Sequence, residues 1–213
     1  MKSITITLYL LLMSVVVGAQ TNASIYPKVG EPSPDFELVN ILGYERDSIS
    51  LGDLKGRYVL LDFWHRHCAS CIASFPKMNA LAKQFEGKIE MFMVGLEDEQ
   101  GLAGLYDTLK ERYQLDHLPV AVDSTLFRKF VPGGAAPHIV LIDKLGVVRA
   151  VTSIVYEDML EAFIDDKEFE FHDLSYEAQF GGDKQHYNQL RPYLIDGNGG
   201  TLNSRDIRSR SVL

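Results

Sequence analysis

"LLDFWHRHCASCIASFPKM", Leu60 to Met78, contains the only two cysteines of the 213-residue chain. Cys68 and Cys71 stand three apart, with His67 directly before the first and His65 two residues earlier. Ahead of them, Tyr58–Trp64 (YVLLDFW) is an almost continuous apolar run, the pattern of a central strand buried on both faces. Behind them, from Cys71, the apolar residues Phe75, Met78, Ala82 and Phe85 recur at helical spacing and Gly87 marks a stop. Pro76 falls inside that helix and is expected to kink it. With two residues between them at a helix start, the two sulfurs can reach bonding distance with little backbone movement. Cys68 at the helix N-terminus meets unpaired N–H groups and the dipole, which favour thiolate, the attacking species in disulfide exchange. Cys71, one turn in, is the natural resolving thiol.

Outward from this centre the chain alternates strands and helices. Ile89–Leu96 (IEMFMVGL) reads as a second buried strand, and Leu102, Leu105, Leu109 and Tyr113 define a second helix. A short strand Val120–Val122 and a short helix from Ser124 follow. His138–Asp143, the turn KLG and Val147–Thr152 form a hairpin, and Tyr156–Asp165 a last helix. Upstream, Phe36–Val39 and Ser48–Leu51 read as short strands of an N-terminal hairpin, behind a polar, proline-containing lead-in over residues 20–34. The expected fold class is α/β, a mixed sheet flanked by helices.

Composition excludes several classes of function. With 46% hydrophobic and 23% charged residues this is an ordinary globular composition, and a net charge of -8 argues against nucleic acid as the main partner. Two cysteines cannot build a disulfide framework. Lys2, the apolar run Ile4–Gly18 and the small residues before Gln20 predict a signal peptide over residues 1–19, cleaved after Ala19, with an uncleaved N-terminal membrane anchor as the alternative. The mature chain is therefore expected outside the cytosol, in the periplasm or cell envelope, where disulfides persist. The division expected is signal peptide 1–19, main domain 20–167, and an aromatic-, Gly-, Asn- and Arg-rich extension 168–213 that either packs across the domain or begins a further, truncated unit.

The segments VGEPSPDFEL, SLGDLKGRYVLLDFW, DFWHRHCASCIASFP and AAPHIVLIDKLGVV together resemble the thioredoxin superfamily, and within it the TlpA/ResA-like envelope thiol–disulfide oxidoreductases, over about Val29 to Phe163. The resemblance implies a thioredoxin-like fold with a strand–helix insertion, and a protein-disulfide reductase with no cofactor beyond a redox-active Cys68–Cys71 disulfide. It also implies protein thiol and disulfide substrates, and a membrane protein as electron donor. Pro76 matches the helix-kinking proline. Pro137, preceded by Ala136, matches the cis-proline facing the dithiol, where the preceding backbone meets a bound peptide. Asp62 matches the buried acid beneath the active site. Its place inside VLLDFW supports this independently, since desolvation should raise its pKa into a range useful for proton transfer with Cys71. The alternative is a structural, hydrogen-bonded aspartate. Trp64 and His67 complete the expected substrate-binding set.

There are four departures from the family pattern. His67 stands where tryptophan is usual, and a cationic His67 would lower the pKa of Cys68. Ala69–Ser70 replaces Gly–Pro, Ser74 replaces an active-site glutamate, and His138 replaces threonine. The rival reading is a metal site for zinc or copper built from His65, His67, Cys68, Cys71 and His138, or a peptide-binding module without redox turnover. Covalent haem attachment requires C-x-x-C-H, and Ile72 follows Cys71. A peroxiredoxin-like peroxidase requires Pro and Thr where this chain has Leu61 and His65.

Overall fold

The run YVLLDFW forms strand β3, Tyr58–Trp64, and all seven of its residues are buried. The computed structural model describes residues 26–96, 99–167 and 169. The expected signal peptide and nearly all of the C-terminal extension lie outside them. β3 is the middle of a five-stranded sheet. It pairs in parallel with β4 (Ile89–Gly95) and antiparallel with β6 (His138–Ile142). β5 (Val120–Val122) lies outside β4, and β7 (Val148–Thr152) outside β6. The sheet is mixed, with three parallel strands and an antiparallel hairpin at one side, as the alternation of the sequence requires.

Side-chain parity along β3 divides the interior into two cores. Tyr58, Leu60 and Trp64 face one way, onto α1 (Ala69–Gln84), α2 (Glu99–Tyr113) and α4 (Glu157–Ile164). Val59, Leu61 and Phe63 face the other way, onto α3 (Ser124–Phe130) and the N-terminal hairpin of β1 (Glu37–Val39) and β2 (Ser48–Ser50). This follows from the period of two along a strand. The first core contains both cysteines together with Phe75, Met78 and Leu81 of α1.

Three differences from the sequence reading have physical reasons. α1 begins at Ala69, two residues before the apolar pattern does, because Cys68 itself is the cap and Ala69, Ser70 and Ala73 point to solvent. The helix runs on through Pro76, which sits on the exposed side and withholds only the N–H that Ile72 would otherwise accept. The polar lead-in is not a loose segment throughout. The Gly30 N–H donates to the Val148 carbonyl (2.8 Å), the Val148 N–H to Glu31 (3.0 Å), and the Ser33 N–H to Gly146 (2.8 Å). At the opposite edge Leu42 and Val120 exchange N–H to carbonyl bonds of 2.8 and 3.0 Å. Both outer strands are thus partly paired by the N-terminal segment.

Candidate active site

β3 delivers the chain to the edge of the sheet, and the turn His65–Arg66–His67 closes with the Cys68 N–H donating to the His65 carbonyl at 2.9 Å. Cys68 is then the N-cap of α1, with its sulfur accepting from the Cys71 N–H at 3.2 Å. The two cysteines are joined, with an S–S distance of 2.04 Å and Cα atoms 5.3 Å apart. Cys68 is 5% exposed and Cys71 1%. Cys68 is thus the slightly more exposed of the two. No acidic residue occupies the first turn of α1 to oppose a negative sulfur.

Two further polar groups complete the immediate surroundings. The Ser70 hydroxyl stands 3.5 Å from the Cys68 sulfur. Sequence reading noted Ser70 only as a replacement for proline; the signal for its contact was a hydroxyl two residues past a helix-capping cysteine. Ser74, at the position of the family glutamate, donates its hydroxyl to the Cys71 carbonyl at 2.7 Å and so serves the helix backbone.

Asp62 lies one pleat below Trp64 on the same face of β3, which is the face that carries Cys71. It is 2% exposed, and its Oδ1 has no hydrogen-bond partner among the described residues. The alternative of a hydrogen-bonded structural aspartate thus lacks a partner for that oxygen. Burial alone pushes its pKa up from 3.8 to about 7.

Trp64 differs from its expected role. Its side chain is 0% exposed and packs edge-on against Phe75, ring centroids 4.8 Å apart. It lies in the same core as both cysteines. His67 is exposed, and its backbone N–H donates to Nδ1 of His65 at 3.2 Å. Ala136 and Pro137 are half-buried, joined by a cis peptide bond, and Ala136 packs against both cores at the margin of the sheet. Pro76 is exposed on α1.

His138 separates from the other histidines. In the antiparallel register it stands opposite Phe63, and directly opposed residues share a face, so its ring lies in the second core beside Phe63 with centroids 6.1 Å apart. Cys68 and Cys71 are in the first core. The sheet itself divides the five-residue set of the metal reading.

Residues 29–151 match the AhpC/TSA family. The chain is 30% identical over 139 residues to the thiol-disulfide oxidoreductase ResA of a Bacillus cereus strain, across 64% of this chain and 77% of that protein. It is also 30% identical over 122 residues to the thiol:disulfide interchange protein DsbE of Pseudomonas aeruginosa, across 57% of this chain and 64% of the other. The crystal structure of the thioredoxin domain of a thiol-disulfide oxidoreductase from Bacteroides vulgatus shares the fold, with a TM-score of 0.52 at 20% identity, covering 66% of this chain and 99% of that one.

Proposed function

Because the chain belongs to the AhpC/TSA family, we propose that it works as a thiol–disulfide oxidoreductase that reduces protein disulfides outside the cytosol through Cys68 and Cys71. The observation that carries this reading is the Cys68–Cys71 pair itself, held at the cap of a 16-residue helix with its outer sulfur the nearer to the surface. In the reduced protein, the Cys68 thiolate attacks a client disulfide. One client sulfur leaves as a thiolate and takes up a proton, and a Cys68–client disulfide forms. Cys71 then gives its proton to Asp62 and attacks the Cys68 sulfur. The internal disulfide re-forms and the second client sulfur is released. Two electrons pass from the dithiol to the client, and an external dithiol, in this reading a membrane protein, restores them.

Asp62 suits the proton step because a carboxyl with a pKa near 7 is partly ionised at neutral pH and can accept as well as return a proton. Ala136 and Pro137, with His67 at the rim, are the proposed client-binding positions, the backbone before Pro137 pairing with an extended client segment. An export signal over residues 1–19 and an envelope location complete the proposal, with residues 20–167 as the catalytic domain and 168–213 as an extension.

The test is the equilibrium midpoint of the Cys68–Cys71 couple in glutathione or dithiothreitol buffers. A value near about -270 mV supports a reductase fed by an outside donor, whereas one near about -120 mV reverses the physiological direction. Failure to form the internal disulfide at any ratio ends the redox reading.

Ser70 gives a second, smaller expectation. A hydroxyl can donate to a thiolate far better than to a disulfide sulfur, so its bond to Cys68 favours the reduced form. Ser70→Ala should raise the Cys68 pKa and shift the equilibrium with glutathione toward the disulfide by about threefold to tenfold, the range for one partly solvated hydrogen bond to a charged group. Thiolate absorbance against pH and the same redox titration measure the two effects. An unchanged titration would mean that the 3.5 Å contact is incidental.

A further inference from the structure

β3 ends at Trp64 and α1 begins at Ala69. The Trp64 carbonyl accepts from the Leu96 N–H at 3.1 Å, so the sheet holds the chain up to the residue before His65. Residues 65–68 then carry it to the helix and belong to neither element. Arg66 and His67 are exposed, so apolar packing does not fix the middle of this link. The backbone donors that follow converge on one residue. The Cys68 N–H donates to the His65 carbonyl at 2.9 Å, which closes a turn. The His67 N–H donates to Nδ1 of the His65 ring at 3.2 Å.

The second bond is the one that aspartate and asparagine make when they open a turn, a side-chain acceptor taking the N–H two residues on. Nδ1 of histidine stands as many bonds from Cα as Oδ1 of asparagine does, so an imidazole can fill the same place. The turn sets the backbone of Cys68, and that backbone sets the sulfur. As the cap of α1, Cys68 has φ -86° and ψ 87°, and from there its sulfur accepts the Cys71 N–H at 3.2 Å. On a thiolate this bond is charge-assisted, and it adds to the favourable field of the helix N-terminus. In the oxidised chain the S–S bond ties Cys68 to α1 whatever the turn does. Reduction removes that tie. Cys68 is then held by its carbonyl, which accepts from the Ile72 N–H at 3.1 Å, on one side and by the turn on His65 on the other.

We propose that His65 is a positioning residue for the attacking sulfur: by accepting the His67 N–H, its ring fixes the turn that holds Cys68 as the cap of α1 and so favours the Cys68 thiolate. This rests on the reading of Cys68 as the attacking thiol. The role belongs to the lone pair of Nδ1, and a side chain with an acceptor at the same place can take it over.

The test compares His65→Ala, His65→Asn and His65→Gln in the reduced full chain, by thiolate absorbance against pH. None of the three carries a ring, so differences among them report the acceptor and not the charge of an imidazole. Alanine has no acceptor, and the glutamine amide oxygen lies one bond too far out. Relative to H65N, both H65A and H65Q should shift the Cys68 thiol–thiolate equilibrium toward the thiol by about threefold to tenfold, the range for one partly solvated hydrogen bond. H65N behaving like H65A, or like H65Q, overturns the proposal. If H65A does not fold, the contrast between Asn and Gln decides alone. Alkylation of the reduced native chain with iodoacetamide, read by peptide mapping, tests the underlying reading separately: label on Cys71 ahead of Cys68 would mean that Cys68 is not the attacking thiol, whatever His65 does.

Discussion

Cys71→Ser should abolish turnover and leave Cys68 covalently attached to its client. Cys68 can still cap α1 and receive the N–H of position 71, so its attack on a client disulfide survives the substitution. What disappears is the second sulfur, which in the native chain is one turn away and already placed at bonding distance. Well-oriented groups within one molecule act at effective concentrations of roughly 10⁵ M or more, and millimolar external thiol cannot replace that. Turnover with insulin should therefore fall by at least roughly a thousandfold. A mixed disulfide should accumulate on a non-reducing gel and vanish with dithiothreitol. Cys68→Ser should be equally inactive and form no adduct, because Cys71 is the more deeply buried of the two. Adducts through Cys71, or turnover surviving in C71S, would reverse the order of the two cysteines or remove the dithiol mechanism.

Asp62→Asn should make the protein slower and, at neutral and alkaline pH, more stable. The carboxyl has a pKa of 3.8 when exposed and about 7 in the fold. Below pH 4 it is protonated in both states and costs nothing electrostatically. Between pH 4 and 7 the unfolded chain ionises it while the folded chain keeps its proton, so folding takes up a proton and stability falls as pH rises. Above pH 7 the folded state holds a buried charge, and the full penalty, about 4 kcal/mol for a pKa raised by roughly three, is in place. Asparagine has no such titration. The stability advantage of D62N in urea unfolding should thus be near zero at pH 4 and grow steadily to pH 8. Over the same range its release of the mixed disulfide should slow by about a hundredfold, the lower end for loss of a positioned base, and lose its rise through pH 7. Parallel stability curves for the two proteins would show that the fold does not raise the Asp62 pKa. A normal release rate would move the base elsewhere.

The centre of the fold was legible because YVLLDFW leaves little choice: seven buried residues in a row, then two cysteines, then a helical pattern. The strand–helix order and even the three-residue strand Val120–Val122 followed from apolar runs between breakers. Less was legible where the deciding fact is a pairing and not a pattern. Glu31 and Ser33 carry no periodicity, so nothing in the lead-in announced that it lines β7. Trp64 and His138 are each polar-tipped rings near the cysteines in sequence or by resemblance. Which face of the sheet each one occupies depends on strand register, and register put Trp64 on the face that carries the dithiol and His138 on the other. Asp62 was readable for the opposite reason. A lone acid in an apolar strand has nowhere to go but inside.

A protein that handles partly unfolded clients meets chains with bare strands, which can nucleate on any open β-margin. Here the backbone at both sides of the sheet, at Val148 and at Val120, is already occupied by the chain's own N-terminal segment. Segments that would otherwise zip onto the sheet and propagate find those donors and acceptors taken. Gly30–Ser33 at one margin and Leu42 at the other therefore blunt the sheet against strand addition.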